Sequence, residues 1–429
     1  LLGEEGRWLP QKRRSAVLPL ETKDHSTVNK LGMNVSTIGL GGGGTRAFGH
    51  SSLSLNLDYQ NLSPYYRVYP SRTDFKQPYG MFSGAAQYRY TPDERTVFKL
   101  YAGYDRTSFS NYADADRHLF GLGENNVYLN TTFRKRAASG WNWFFGAAYS
   151  FYDRRVGGAV TGGDAWSERQ QELHLKVRSF RQFTPWLRLD AGVETFIRSY
   201  RDYYRFELLY DENRMYPTIC AGFLSSIFYL SEHFKTELSF RPEYVSLNRR
   251  MNWSPRAAVS YAWNRLSISV VAGQYTQLPE NKYLIKNTAL PSNICRQTLF
   301  SLQYEQSGRF YKAEFYYKNY KRLELSVPQG MVPDGYGYSK GIDLYFCDNA
   351  LWKNFEYRLS YSYNLSKRKY REYTELTVPQ YATRHNVSLV LKYSVPRLRT
   401  IFSVTDRLAS GRPYHNPELP GLMNDEVKT

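Results

Sequence analysis

The feature that most constrains this chain is an alternation of apolar and polar side chains with a period of two, repeated in segments of about 8 to 12 residues from one end to the other. In residues 96–105, Phe98, Leu100, Ala102 and Tyr104 alternate with Lys99, Tyr101, Gly103 and Asp105. Successive side chains of a strand point to opposite faces, so this segment has one apolar and one mixed face. The pattern returns as Leu187, Leu189, Ala191 and Val193 against Arg188, Asp190, Gly192 and Glu194. It returns again as Leu173, Leu175 and Val177 against His174, Lys176 and Arg178, and as Tyr311, Ala313, Phe315 and Tyr317 against Lys312, Glu314 and Lys318. Faces this rich in charge do not fit the dry core of a sandwich, because burying charge without partners is costly. Strands of this kind separate a lipid-compatible surface from a wet interior.

Connector lengths sharpen the reading. Short turns at 49–51, 92–95, 138–140, 182–185, 231–233, 264, 307–308, 348–353 and 395–396 alternate with long connectors at 62–80, 109–125, 154–167, 201–216, 244–254, 276–296, 321–337 and 366–383. Short turns close hairpins, and a regular exchange of short and long connections describes an up-and-down barrel with two unlike ends. With short first strands near 31–37 and 41–48 and a last one near 398–408, the count is about nineteen antiparallel strands. Single-chain bacterial barrels have even strand numbers, and those of about 22 strands enclose a plugged lumen, so three further strands are expected. The predicted fold class is all-β: a transmembrane antiparallel up-and-down β-barrel.

Composition agrees. Aromatic residues make up 17% of the chain, 39 of them Tyr, whose apolar ring and polar hydroxyl suit a membrane interface. No stretch approaches the roughly 18 apolar residues of a spanning helix, and without helices only a barrel satisfies the backbone in lipid. The net charge of +18 is spread along the chain instead of gathering in one domain, which points to anionic lipid or an anionic substrate and not to nucleic acid. Basic and aromatic residues interleave at 198–205 and 366–373, read as a strand rim reaching lipopolysaccharide phosphates in preference to a single-strand nucleic-acid groove.

Motifs that suggest other chemistry have simpler readings. Gly39-Leu40-Gly41-Gly42-Gly43-Gly44 contains GxGxxG, but it runs into the alternating segment 52–57 where a dinucleotide fold needs a helix, so a glycine-rich hairpin is expected. His25, His50, His118, His174, His233, His385 and His415 have no ligand spacing, and no metal site or cofactor is expected. No serine sits in a nucleophile elbow, and no enzyme activity is expected. Cys220, Cys295 and Cys347 form no CxxC pair and are expected to have no structural role. Asn34, Asn61, Asn130, Asn252, Asn364 and Asn386 open N-x-S/T triplets, several of them within expected strands, where a glycan could not sit.

Segments with a recognisable order carry a family resemblance. Ser15-Ala16-Val17-Leu18-Pro19-Leu20-Glu21-Thr22-Lys23-Asp24 resembles the closing strand of the plug in TonB-dependent receptors, just before the first barrel strand. Trp253-Ser254-Pro255-Arg256 followed by Gly273-Gln274-Tyr275-Thr276-Gln277-Leu278-Pro279 resembles a mid-barrel hairpin and loop entry of the same family. Tyr338-Ser339-Lys340-Gly341-Ile342-Asp343-Leu344 and Tyr381-Ala382-Thr383-Arg384-His385-Asn386 resemble two later strand starts.

The resemblance implies that residues 1–24 end a plug domain and 25–429 form the receptor barrel of a Gram-negative outer membrane. It implies an importer for a bulky ligand such as a siderophore, cobalamin, oligosaccharide or peptide, driven through a short N-terminal box by the inner-membrane TonB complex. Implied partners are outer-membrane lipid and lipopolysaccharide, the transported ligand, the TonB complex and a surface lipoprotein if the importer is of the lidded kind. The chain departs from the family in lacking most of the plug, the box and the last strands, and is expected to be a fragment that cannot transport alone. Two alternatives stand beside this reading: a passive porin-like channel, and a secreted all-β protein whose Tyr-rich loops stack sugars. For a receptor, the long connectors are expected outside the cell and the ligand at their bases, with Trp166, Tyr203, Tyr204, Tyr283 and Arg154 as contacts, because these join flat aromatic surface to a cation. The competing reading of each is an interfacial girdle residue.

Overall fold

A computed structural model describes residues 28–69, 74–112, 118–158, 164–206, 209–415 and 423–424. The plug-like segment 15–24 lies outside them. The alternating segments become one antiparallel sheet of 21 strands. In order these are β1 (Lys30–Ser36), β2 (Gly39–Phe48), β3 (Ser51–Asn61), β4 (Phe75–Asp93), β5 (Thr96–Tyr112), β6 (Leu119–Arg136) and β7 (Asn142–Gly157). There follow β8 (Ala165–Thr184), β9 (Leu187–Phe206), β10 (Leu209–Met215), β11 (Thr218–Tyr229), β12 (Phe234–Val245), β13 (Arg250–Trp263) and β14 (Leu266–Gln277). The last seven are β15 (Asn293–Gln306), β16 (Arg309–Val327), β17 (Gly330–Asp348), β18 (Phe355–Tyr370), β19 (Tyr373–Thr377), β20 (His385–Val395) and β21 (Thr400–Ala409). Two helical turns, α1 (Ser63–Val68) and α2 (Asn281–Leu284), lie in connections.

Each strand pairs with its predecessor and its successor, with two local exceptions. Both β10 and β19 only extend one end of β9 and β18, while β11 and β20 take up the main pairings. Nineteen strands therefore make the wall, as the sequence pattern anticipates. The sheet is not closed: β1 and β21 are its edges, and every residue of both is exposed.

Alternation sorts the two faces as expected. Leu100, Phe315 and Tyr317 are exposed on the outer face, whereas Asp190, one register step from the outward Leu189, is buried. Down the inner face runs a charged network. Arg178 on β8 donates to Asp190 on β9 at 2.8 Å, and Glu194 receives Arg241 at 2.7 Å, with Lys176 at 3.6 Å and His174 at 3.3 Å. Charged groups persist here because they find one another across adjacent strands, or, for Arg241 on β12 and Glu194 on β9, across the intervening β11. The outer face carries aromatic rows instead. Trp143, Trp186, Trp263 and Trp352 are exposed near the tight turns, and Phe240 stacks on Trp253 nearer the other end. On β7, Trp143 to Phe151 rises roughly 20 Å at about 3.3 Å per residue and a tilt of about 40°, close to the height of a bilayer's apolar band.

Tight turns fall where expected. In the β2–β3 hairpin Gly49 has φ 53°, and in β13–β14 Asn264 has φ 50°, the left-handed conformation that closes two-residue hairpins compatibly with strand twist. Several expected long connectors are corrected. Of 244–254 only four residues, Ser246 to Arg249, lie between strands, and of 321–337 only Pro328 and Gln329. Strands β4 to β9 and β16 to β18 also continue well into segments read as loop. The reason is physical: beyond the apolar band both faces of a strand carry polar side chains, so the alternation that marks it disappears while the backbone ladder goes on. All six N-x-S/T asparagines lie in strands, and the glycine run forms β2, where a side chain at Gly41 would meet the side chains of Asn34 and Asp58.

Candidate functional site

At the loop end of the wall, register decides which residues can meet. Val156 opposes Trp166 and Trp166 opposes Tyr204, while Arg154 opposes Glu168 and Glu168 opposes Asp202. Opposed residues share a face, and these share the face of Tyr200 and Phe196, which are buried inside. Three of the five sequence-derived contacts, Arg154, Trp166 and Tyr204, thus stand together on the inner wall. The Arg154 guanidinium lies 5.9 Å from the Trp166 ring centre and 5.4 Å from that of Tyr152. Its Nε donates to Glu124 on β6 at 2.6 Å, and the Trp166 indole N–H donates to Asp202 at 2.7 Å. Glu124 also accepts from the Tyr152 hydroxyl at 3.0 Å.

The other two are placed differently. Tyr203 has the opposite parity and faces outward, opposite Ser167. Tyr283, on α2, is 4% exposed and belongs to a cluster with Leu278, Leu284, Leu290, Met331 and the inner-wall residues Phe196 and Tyr200. The connection 278–292 is therefore folded inward. Asn281 donates to Gln170 on β8 at 3.4 Å, Asn248 to the Leu290 carbonyl at 2.7 Å, and Asn287 to the Met331 carbonyl at 2.9 Å. Glu280 pairs with Arg371, beyond β18, at 2.5 Å, and the Arg371 guanidinium lies 5.5 Å from the Tyr283 ring centre. Burial pushes the Tyr283 phenol above its ordinary pKa, against the pull of Arg371 and Lys282. Tyr283 anchors this strap and offers little free surface.

Sequence reasoning missed Glu124, Tyr152, Glu168 and Asp202. Each sits an even number of residues from a recognised inner residue on its own strand or opposes one on the next, so carrying the alternation past the apolar band would have found them. The assembled wall offers a guanidinium, an indole, two phenols and carboxylates partly neutralised by their neighbours. Such a surface suits a polar, planar or sugar-like ligand held by stacking and hydrogen bonds. Among the described residues there is no cluster of His, Cys, Asp or Glu able to hold a metal ion.

The sheet has the fold of the outer-membrane TonB-dependent receptor barrels. Similar solved structures include the outer membrane transporter YddB from Escherichia coli, with a TM-score of 0.69 and 10% identity over 90% of this chain and 65% of that one. The alcaligin outer membrane receptor FauA from Bordetella pertussis has a TM-score of 0.68 and 11% identity over 89% and 67%, and the copper transporter OprC 0.68 and 12% over 88% and 66%. The chain thus spans about two thirds of the length of these structures. No protein-family model and no curated protein sequence matches it.

Proposed function

We propose that this chain is the barrel wall of an outer-membrane receptor that imports a bulky ligand by TonB-driven transport, the ligand being of the siderophore, cobalamin, oligosaccharide or peptide class. The observation that carries the reading is a transporter-type barrel whose inner wall is polar and charged along its length and bears Arg154, Trp166 and Tyr204 together at the loop end. In this reading residues 1–24 close a plug that fills the lumen, three more strands pair with the edges β1 and β21 to reach an even count, and the loop end faces outward from the cell. The protein transports and does not catalyse. The apolar outer band disfavours a secreted sugar-binding protein, which would have to expose that band to water.

The test is uptake by cells carrying the full-length protein, using radiolabelled ferric siderophores, cobalamin and oligosaccharides in turn. Uptake of one of them that stops with a protonophore supports the receptor. Flux that persists without proton-motive force, with ion conductance in planar bilayers, identifies a passive channel instead. With the ligand in hand, alanine at Arg154, Trp166 and Tyr204 should each weaken binding by about 1 kcal/mol or more, roughly fivefold in Kd, without lowering barrel yield.

A further inference from the structure

The strap 278–292 is held to the inner wall by two unlike kinds of contact. One is buried: Tyr283, Leu284 and Leu290 pack against Phe196, Tyr200 and Met331, while Asn248, Asn252 and Asn287 donate to Leu290, Ser292 and Met331 in turn. The other is ionic and partly open to water. Glu280, whose side chain is 53% exposed, accepts from Arg371 Nη2 at 2.5 Å, and its second oxygen lies 3.4 Å from Lys282. An exposed ion pair holds weakly, because water and salt compete for both partners. Glu280 is therefore the anchor of the strap that a solute can replace.

Arg371 has more to offer than Glu280 takes. It follows β18 with φ 57°, a left-handed conformation unfavourable for a residue with a side chain, and is fixed there by donating its N–H to the Glu324 carbonyl and accepting from the Ser326 N–H. Its Nε–H is buried and meets no hydrogen-bond acceptor among the described residues, with the Glu324 carboxylate 3.9 Å away. The Nε–H of Arg368 is in the same state. Both guanidinium groups lie against the Tyr370 ring, at 5.1 Å and 5.9 Å from its centre, and Arg368 also lies 4.2 Å from that of Tyr320. Arg368 fits here because Gly337 opposes it: a Cβ on Gly337 would stand 2.8 Å from the Arg368 Cγ. A guanidinium pairs most strongly with a carboxylate through two parallel N–H groups, and Glu280 engages one. A carboxylate arriving from solution can take Nε and Nη2 together, so it competes with Glu280 on better geometry. The residue after Glu280 meets the ligand wall: Asn281 donates to Gln170, and Gln170 to Glu168, which opposes both Arg154 and Asp202. Adjacent residues of the strap thus tie β8 to the end of β18, strands far apart in the wall.

We propose that Arg371, with Arg368 beside it, is a seat for a carboxylate of the ligand, that Glu280 fills this seat as an internal competitor, and that a carboxylate-bearing ligand displaces Glu280 and frees the strap from the inner wall. The proposal rests on the reading of the loop end as the ligand-binding end. It makes release of the strap a response to ligand chemistry instead of a random opening.

The test uses the full-length protein in detergent, with sodium benzoate as the probe, benzamide as its uncharged counterpart and sodium chloride at equal ionic strength as the screening control. Amide hydrogen exchange reads the strap, and calorimetric titration reads benzoate affinity. In the native protein benzoate should speed exchange across 278–292 at least threefold, and benzamide and chloride should not. Glu280→Gln should speed it as much without benzoate and should tighten benzoate binding severalfold, because the seat is vacated; a pair that only braces the strap would leave that affinity unmoved. Arg371→Gln should free the strap and abolish benzoate binding. Unchanged benzoate affinity in Glu280→Gln overturns the proposal, as does equal acceleration by chloride, which would identify plain screening. Native protection of β8 and β9 certifies the barrel in each variant, and if Arg371→Gln loses it, the native protein and Glu280→Gln decide. Flux independent of proton-motive force removes the importer reading and leaves the seat, whereas energised uptake with unchanged benzoate affinity in Glu280→Gln removes the seat alone.

Discussion

Leu189 and Val193 show how position along a strand sets the consequence of one side chain. Both face outward on β9, but Leu189 is two residues from the tight-turn end and Val193, 61% exposed, is near the middle of the outward row that runs from Leu187 to Ile197. Arginine at Val193 should cost about 2 to 4 kcal/mol and at Leu189 about 1 kcal/mol or less, because the cost of a cation on a barrel's lipid face falls toward the interface. Folding titrations of the two variants in bilayers measure the difference, and equal costs would show that the band is placed wrongly. On the inner face, Asp190 is 1% exposed and holds Arg178 through both oxygens. Asp190→Asn should lose about 3 kcal/mol by stripping a buried cation of its counter-ion, and Asp190→Leu combined with Arg178→Met should recover much of it, since replacing both partners leaves no uncompensated charge. Additive losses in that double-mutant cycle would mean that the pair is not coupled.

Among the elements, the strap 278–292 differs most from an ordinary surface loop. It lies against the inner wall through Tyr283, Leu284 and Leu290, and Leu284 is 1% exposed. Leu284→Ala should cost about 3 kcal/mol by opening a cavity in a small cluster, and the loss should appear as local release of the strap, not of the barrel. Amide hydrogen exchange reads this directly: faster exchange across 278–292 with β9 and β11 unchanged is expected, and uniform acceleration would place the strap inside the barrel's own cooperative unit. Little of this was legible in the sequence. The connector is long and ends at a Leu-Pro pair, but its packing partners are Phe196 and Tyr200, nearly a hundred residues away on a strand whose inner face is otherwise charged.

For the whole molecule, the direction of the barrel has a direct test. The connections that the sequence marks as tight turns lie at one end and those it marks as long lie at the other, so one labelled site at each end decides which faces outward. In a Cys220→Ser background, Gln329→Cys at the β16–β17 turn should react with an impermeant maleimide on intact cells, and Glu94→Cys at the β4–β5 turn only after permeabilisation. The reverse preference would invert the barrel and place Arg154, Trp166 and Tyr204 at its periplasmic end. The open edges β1 and β21 bear on stability, because unpaired backbone groups are expensive in lipid and adhesive in water.

Sequence alone determined the class of fold, the wall of nineteen strands, the tight turns and which residues of 96–105 or 187–194 share the outer face. A period of two is local: it needs only the geometry of an extended chain and the contrast between lipid and water. It stopped informing where that contrast ended, so the strand ends beyond the apolar band read as loops, and Tyr203 was grouped with Tyr204 although adjacent strand residues must face opposite ways. What only the tertiary structure decided was which strand ends stand beside which. Register across β6 to β9 brings Glu124, Arg154, Trp166 and Tyr204 to the inner wall and Asp153, Arg155, Arg169 and Arg201 to the outer one. Those pairings join residues tens of positions apart through backbone hydrogen bonds, and no local pattern in the chain encodes them.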